Sequence, residues 1–357
     1  MNIKPSLLLN SSRMQQAKIP YSARRVSRSA MSLLVDVGTP RPGDLVLARV
    51  DKLGQHKHLE LTTGRRARLF PGDEIVLAYG NRYAPDQFEA EVPVDLAACH
   101  MVAAGGIASR MLSRHGKISA ATSVTPVGLI ADPSGQVLNL RQHALARVGL
   151  EQPRVPTYAV VGTSMNAGKT ETATHMIRGL SRAGYKVGAA KLTGTGAGGD
   201  VWSLTDAGAS IVLDFTDAGF SSTYLTQLTE LEEILSILTS QLYQAGVDCV
   251  VLEVADGLFQ RETAMLLESP RFAEVADGLV FASPDPMGAL AGIHWLQERG
   301  LPVLAVSGRM TASPLAAREA QSVLKFPVLD LDDLASPEIA DRLGMYQAAE
   351  ERLEAAL

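Results

Sequence analysis

The residues with the clearest chemical potential lie between Gly162 and Thr170, in the sequence Gly-Thr-Ser-Met-Asn-Ala-Gly-Lys-Thr. An apolar run at 158–161 precedes them, and in 171–183, which follows, apolar residues recur at helical spacing. The order strand, glycine-bounded loop, helix is the context of a phosphate-binding P-loop. The backbone N–H groups of such a loop, together with the positive end of the helix dipole, can bind phosphate oxygens.

The P-loop pattern assigns a role to each polar residue of this stretch. Lys169 is expected to reach the β- and γ-phosphates of ATP, and the Thr170 hydroxyl is expected to bind Mg²⁺. The remaining residues expected to surround the phosphates are Gly162, Thr163, Asn166, Ala167 and Gly168. The usual first-glycine position is occupied by Thr163, and the glycine lies one residue earlier. The alternative is an ordinary strand-to-helix turn that happens to contain Gly-Lys-Thr.

Strands and helices alternate from Thr157 onward, which predicts an α/β fold of the P-loop NTPase type, with a parallel sheet covered by helices. Strands are expected at 158–161, 186–191, 249–252, 278–282, 301–306 and 326–329. Helices are expected to start at Asp285-Pro286 and Ser313-Pro314, and a third behind a capping box formed by Thr229 and Glu232.

Ligands of such a sheet bind at the carboxyl ends of its strands. The second strand ends in Lys191, followed by a glycine-rich stretch up to Asp200. The run 249–252 ends in Glu253, and Asp256 follows closely. A carboxylate directly after a buried strand is where P-loop enzymes place an acid linked to Mg²⁺. Lys191 is expected to enter the same site, the alternative being a strand-end lysine that extends into solvent.

The first half of the chain has a different character. Residues 1–41 are basic, with Asp36 as their only acid, and favour a flexible or partner-packed arm. Residues 42–150 contain short β-prone runs separated by turn signals, which predicts a small β-rich barrel or sandwich. Within it, 107–112 is interpreted as a short helix. The composition of 150–156 is typical of a linker, so the P-loop domain is expected over 151–357.

The amino-acid composition limits the classes of protein to which the chain can belong. Of the 357 residues 46% are hydrophobic and 20% charged, as in ordinary globular proteins. The net charge of −5 argues against nucleic acid as a partner of the whole surface, though not against a local patch. Only two cysteines are present, which fits a cytoplasmic protein, and no apolar run approaches the length of a membrane span.

Three stretches together resemble dethiobiotin synthetase: Gly162–Thr170, Lys191 through Thr195-Gly196, and Val251–Gly257. The resemblance covers 157–310 and is absent from 1–150. The chain also looks like the P-loop domain of the D-glutamate N-acetyltransferase-like proteins. That likeness depends on 193–196 and on Asp214-Phe215.

The first resemblance implies specific roles. Lys169 and Thr170 bind phosphate and Mg²⁺, and Asp200 and Glu253 complete the metal site. Lys191 and Thr195 lie between the γ-phosphate and the acceptor. In that family a carbamate attacks the γ-phosphate of ATP and the mixed anhydride then closes a ring. The chain has Ser164, Met165, Val254 and Asp256 where the family has other residues, which argues for a different acceptor.

The expected function is therefore an ATP- and Mg²⁺-dependent ligase or kinase-like enzyme that activates a small carboxylate or carbamate. Asp256 is a candidate general base or extra metal ligand, and the base of the nucleotide is expected near Ser307 and Gly308. The alternatives are an acyl-coenzyme A-dependent N-acyltransferase-like enzyme and a nucleotide-binding switch or assembly factor. The guanine-specific Asn/Thr-Lys-x-Asp motif is absent from the sequence, which favours ATP. A homodimer or higher homo-oligomer is the default expectation.

Overall fold

The structure is a computed structural model that describes residues 7–8, 11–149 and 154–345. The chain divides into two compact units, and neither is a single stretch of sequence. The first comprises Met1–Ala146, Gly194–Gly199 and Phe215–Leu225. The second comprises Arg147–Thr193, Asp200–Asp214 and Thr226–Leu357. The predicted linker at 150–156 lies mostly outside the described residues, since only 154–156 of it are described.

The first unit is β-rich, as its short apolar runs predict. Its strands are β1 Leu7–Leu8, β2 Leu33–Val35, β3 Leu45–Lys52, β4 His58–Glu60, β5 Arg66–Arg68, β6 Glu74–Tyr79, β7 Arg82–Tyr83, β8 Phe88–Glu91, β9 Cys99–Ala103, β10 Ile107–Arg114 and β11 Thr122–Ala131. One helix, α1, spans Ser11–Gln16, and short 3₁₀ turns span Tyr21–Ala23, Arg28–Ala30 and Leu140–His143. The main sheet has the order β1-β2-β11-β3-β6-β10-β8-β7, with β9 paired to β10 and β11. Strands β4 and β5 form a separate hairpin.

The prediction of a short helix at 107–112 is wrong, because these residues belong to β10. Gly106 has a φ of +92° in the turn that joins β9 to β10 and lets the chain fold back on itself. β10 then pairs with β9 and β8 in antiparallel fashion and with β6 in parallel fashion. Hydrogen bonding to three partner strands outweighs the weak helical spacing of the apolar residues.

The described part of the basic segment 1–41 is folded into the first unit. Met14, Ala17, Ala23, Met31 and Leu34 are buried in one of its apolar clusters. The two later segments of this unit are also anchored by polar contacts. Arg24 forms an ion pair of 2.5 Å with Asp217, and the Gly198 N–H donates to the Glu60 carboxylate over 2.8 Å.

The second unit is a doubly covered parallel sheet. Its strands are β12 Thr157–Gly162, β13 Val187–Lys191, β14 Ile211–Asp214, β15 Cys249–Glu253, β16 Gly278–Ala282 and β17 Val303–Ser307. All pairs are parallel, and the order is β14-β13-β15-β12-β16-β17. Strands β12, β15 and β16 are buried at every residue, which explains their continuous apolar sequence. The fold is of the P-loop NTPase type, as predicted.

Helices connect these strands. They are α2 Lys169–Arg182, α3 Gly199–Asp206, α4 Leu228–Gln244, α5 Arg261–Leu267, α6 Pro270–Val275, α7 Pro286–Glu298, α8 Pro314–Val323, α9 Leu331–Ala335 and α10 Ile339–Arg342, with a 3₁₀ turn at Arg309–Ala312. Asp285 and Ser313 cap α7 and α8 through their side chains, which confirms both predicted helix starts. Within the described residues, none of these helices combines the length and apolarity that crossing a membrane requires.

Two sequence predictions in this unit are wrong in detail. The capping box of α4 is formed by Gln227 and Glu230 instead of Thr229 and Glu232, so the helix begins earlier than predicted. The segment 326–329 is not a strand, because it makes only an isolated bridge between Val328 and Val306. Pro327 restricts pairing there, because it has no N–H to donate, although its carbonyl accepts the Val306 N–H.

Candidate functional site

The loop between β12 and α2 explains why its first glycine is displaced. A Cβ at position 162 would lie 2.7 Å from the Ala282 carbonyl oxygen and 2.9 Å from Cγ of Lys169, so only glycine fits there. Asn166 and Gly168 have φ values of +64° and +100°, a conformation that Asn and Gly adopt most readily. Gly168 is the N-cap of α2, so the first N–H groups of that helix lack intrahelical partners at the loop.

Lys169 turns back over this loop. Its side chain is buried, and Nζ donates to the Ser164 carbonyl oxygen over 2.7 Å. Burial lowers the pKa of Lys169 to about 8, although the charges of Glu253 and Asp256 oppose this effect. The ammonium is therefore held inside the loop by a carbonyl oxygen, in a place where an anion would stabilise its charge.

Three side chains from neighbouring elements meet beside the start of α2. Lys191 and Glu253 are register partners at the carboxyl ends of β13 and β15. Asp200 lies in the first turn of α3. Lys191 Nζ donates to the Asp200 carboxylate and lies 3.5 Å from Oε1 of Glu253. The sequence places these residues far apart, and the parallel sheet brings them together.

The Thr170 hydroxyl joins the same group. Its Oγ1 donates to Oε1 of Glu253 over 2.9 Å and lies 3.5 Å from Oδ1 of Asp200. Burial opposes the charged form of Lys191, but the charges of Glu253 and Asp200 raise its pKa above the ordinary value. Burial likewise favours neutral Asp200, yet the charge and hydrogen bond of Lys191 lower the pKa of Asp200. The cluster is thus an ion network in which each charge depends on the others.

These residues fit a Mg²⁺ ion held together with a nucleotide. Glu253 is only 2% exposed, and its Oε2 atom has no hydrogen-bond partner among the described residues. Buried polar atoms without partners are uncommon and call for an explanation. Two carboxylates and a hydroxyl supply the oxygen ligands that Mg²⁺ prefers, and in phosphate sites water and phosphate complete its shell. No cluster of three or more His, Cys, Asp or Glu side chains suited to a metal occurs in the part of the chain that is described.

The turns after β15, β16 and β17 press against the loop, a feature that local sequence patterns did not predict. A Cβ on Gly257 would lie 2.1 Å from the Thr163 carbonyl oxygen. A Cβ on Gly288, in the first turn of α7, would lie 3.3 Å from Cγ2 of Thr163. On the other side, the Arg309 N–H donates to the Ala167 carbonyl oxygen over 2.9 Å. These contacts fix the loop from both sides.

The structure brings most of the predicted site residues to one edge of the second unit. Asp256 follows β15, is 9% exposed and has a φ of +63°. Ser307 ends β17 with its Oγ buried, and Gly308 packs against the Ala167 carbonyl oxygen. Thr195 is different, because it belongs to the first unit, where it forms an isolated bridge with Ser222.

No protein-family model matches the chain, and no curated protein sequence matches it either. Solved structures give weak likenesses. The signal recognition particle receptor FtsY from Elizabethkingia anophelis is 16% identical, with a TM-score of 0.38 over 58% of this chain and 74% of that one. A nucleotide-binding protein in complex with ADP from Archaeoglobus fulgidus is 14% identical, with a TM-score of 0.35 over 51% of this chain and 87% of that one.

The septum site-determining protein MinD with Mg-ADP from Pyrococcus horikoshii is 16% identical, with a TM-score of 0.34 over 53% of this chain and 85% of that one. These scores are too low to support an inference about function.

Proposed function

We propose that this protein is a Mg²⁺- and ATP-dependent enzyme that transfers the γ-phosphoryl group to a small carboxylate or carbamate acceptor. The observation that carries the proposal is the meeting of Lys191, Asp200 and Glu253 at the Thr170 hydroxyl, directly beside the loop that holds Lys169. A loop that only joins a strand to a helix has no need of this buried network of charges.

The loop supplies the phosphate site. The N–H groups at the start of α2 and the helix dipole favour negative charge. Lys169 exchanges the Ser164 carbonyl oxygen for phosphate oxygens, and its ammonium then stabilises the charge of the transferring group. When bound, Mg²⁺ neutralises charge on the phosphates, and Thr170, Asp200 and Glu253 are the residues that would hold it.

The acceptor end of the reaction is assigned to Lys191 and Asp256. Lys191 is a second cation, on the strand next but one to β12, and an anionic acceptor needs such a charge to approach a phosphate. A carboxylate or carbamate is already a nucleophile at neutral pH, so no general base is required for it. Asp256 would then orient the acceptor, or hold the proton of an acceptor that carries one.

The test is calorimetric titration of the purified protein with ATP, GTP and acetyl-coenzyme A in the presence of Mg²⁺. We expect ATP to bind, and Lys169→Ala to weaken it by about a hundredfold, since charge-assisted hydrogen bonds contribute about 1.5–3 kcal/mol each. Lys186→Ala is the matched control, because Lys186 is exposed, outside the candidate site, and its Nζ donates to the Ala245 carbonyl oxygen over 2.7 Å.

Phosphate release on addition of small carboxylates or amines with bicarbonate then tests the transfer step. ATP binding that is equal in wild type and Lys169→Ala would refute the phosphate site. Binding of acetyl-coenzyme A without ATP would replace the proposal by an acyl transferase. Slow ATP hydrolysis that no acceptor accelerates would favour a nucleotide-dependent switch.

A further inference from the structure

Lys191 lies where a metal ion would be expected. Its ammonium donates to the Asp200 carboxylate and lies 3.5 Å from Oε1 of Glu253. The Thr170 hydroxyl contacts the same two carboxylates. The ammonium therefore contacts two of the three oxygen-bearing side chains that the proposed function assigns to Mg²⁺, and the third, that of Thr170, contacts the same two carboxylates.

The setting of these carboxylates makes a cation necessary. The Glu253 side chain is 2% exposed and that of Lys191 is 12% exposed, while Asp200 is 34% exposed. A buried carboxylate without a compensating charge is costly, and a second carboxylate nearby adds repulsion. Oε2 of Glu253 still has no hydrogen-bond partner within the described part of the chain, so the ammonium compensates the pair without using all of its oxygen atoms.

We propose that Lys191 is an internal counter-ion that keeps Asp200 and Glu253 together in the unloaded protein and is displaced from them when a divalent cation binds. This inference rests on the proposed function for the identity of the ligand. The ammonium and a divalent cation repel each other and compete for the same oxygen atoms. A metal alone must therefore expel Lys191 without providing it with a new partner.

A nucleotide changes this balance. The phosphates offer anionic oxygen atoms to a lysine on a flexible four-carbon stem, so the released ammonium keeps a partner. Metal and nucleotide are then bound cooperatively, and the metal alone is bound weakly. Because the ammonium competes with the metal, removal of the lysine charge should strengthen binding of the metal alone. It should also weaken the coupling between metal and nucleotide, which acts equally on the affinity of each for the protein.

The decisive experiment measures Mn²⁺ binding in the absence of nucleotide, with unbound Mn²⁺ counted by electron paramagnetic resonance. Lys191→Met removes the charge and keeps most of the length of the unbranched side chain. We expect it to bind Mn²⁺ about tenfold more tightly than wild type, which corresponds to about 1.4 kcal/mol. Lys186→Met, directly before the opposite end of the same strand, removes an exposed charge and should leave Mn²⁺ binding unchanged.

Lys191→Gln is the second variant, because its neutral amide still donates a hydrogen bond to a carboxylate and preserves the fold more readily. It should shift Mn²⁺ binding in the same direction. Wild-type protein gives an independent measurement. Lys191 should resist acetylation by acetic anhydride without metal and become reactive at saturating Mn²⁺, as detected by mass spectrometry of the peptides.

The outcomes separate this inference from the proposed function. If wild type binds Mg²⁺-ATP but Mn²⁺ affinity is unchanged in the folded variants, the counter-ion role is wrong and the function stands. If both variants gain Mn²⁺ affinity but no nucleotide binds, the counter-ion role stands and the function is wrong. Equal reactivity of Lys191 with and without Mn²⁺ would also overturn the inference.

Discussion

Lys191 and Glu253 occupy matching positions at the carboxyl ends of adjacent parallel strands, with Nζ 3.5 Å from Oε1. The pairing is a direct result of the register of β13 and β15, which places the two Cα atoms side by side. A shift of one residue in either strand would turn one side chain to the other face of the sheet. The charge network is therefore fixed by backbone pairing.

Glu253→Gln should remove most of the effect of Mg²⁺ on nucleotide binding. The substitution keeps the volume of the side chain but removes the charge that would bind the metal. We expect the ratio of nucleotide Kd values measured in EDTA and in Mg²⁺ to fall by about tenfold, the change that about 1.4 kcal/mol produces. Calorimetry of wild type and variant in both buffers measures this ratio.

The matched control for that measurement is Glu171→Gln, on the exposed face of the first turn of α2. It alters the same number of charges near the same helix end, but Glu171 is not part of the network. An unchanged Mg²⁺ effect in Glu253→Gln would contradict the assignment of Glu253 to the metal.

Gly257→Ala should weaken nucleotide binding although its side chain would touch no nucleotide. Its Cβ would lie 2.1 Å from the Thr163 carbonyl oxygen, so the loop must move or the turn must yield. We expect a loss of about tenfold in affinity, which corresponds to about 1.4 kcal/mol and lies within the usual cost of overpacking, about 1–3 kcal/mol. Gly116→Ala is the control, because a Cβ there meets no atom within 4 Å. Wild-type affinity in Gly257→Ala would show that the loop tolerates displacement.

Asp256→Asn should lower the rate of acceptor-dependent turnover and leave ATP affinity nearly unchanged. Asp256 adopts a φ of +63°, which Asn tolerates as well as Asp does, so the backbone should be preserved. Steady-state kinetics with ATP and acceptor varied separately checks this expectation. Asp256→Ala adds a backbone cost of about 1 kcal/mol and should also reduce stability in urea unfolding. Full turnover in Asp256→Asn would exclude Asp256 from the chemistry.

The first unit should lose stability in mild acid because of His56. Burial lowers the pKa of His56 to about 4, aided by the charge of Arg82 and opposed by a hydrogen bond to the Val102 carbonyl oxygen. In the unfolded chain the pKa of histidine is about 6.5. Between pH 6.5 and 4 the unfolded state binds a proton that the folded state does not. The free energy of unfolding therefore decreases as the pH decreases through this range, by up to about 1.4 kcal/mol per pH unit.

Urea unfolding of wild type and His56→Gln at several pH values tests this prediction. The variant should show a smaller decrease in the free energy of unfolding between pH 7 and pH 5. The pKa values of His100 and His143 are also lowered by burial, so some acid sensitivity should persist in the variant. Identical pH slopes in the two proteins would show that His56 does not contribute.

The features that sequence could predict are those encoded by short local patterns. The loop around Lys169 and the strand-end positions of Lys191 and Glu253 follow from apolar runs and from the residues that end them. The register that makes Lys191 face Glu253 does not, because it depends on pairing between distant strands. The close approach of Gly257 to Thr163 is equally invisible, since a glycine in a turn has several possible causes.

The placement of Thr195 shows another limit of sequence. Four glycines around it predict a backbone close to a ligand, yet glycine also permits close packing of backbone on backbone. In the structure a Cβ on Gly105 would lie 2.0 Å from the Gly196 carbonyl oxygen, within the first unit. Composition alone could not distinguish these two uses of glycine.

The two units share the chain in alternating pieces, and this has a consequence for dissection and for evolution. A gene truncated after residue 146 would encode the β-rich unit without Gly194–Gly199 and Phe215–Leu225, including the Asp217 partner of Arg24. The complementary fragment, from residue 147 onward, would contain those two segments but would lack the rest of the β-rich unit to which they belong. No single cut yields two complete units, so neither can be exchanged between proteins as one contiguous cassette.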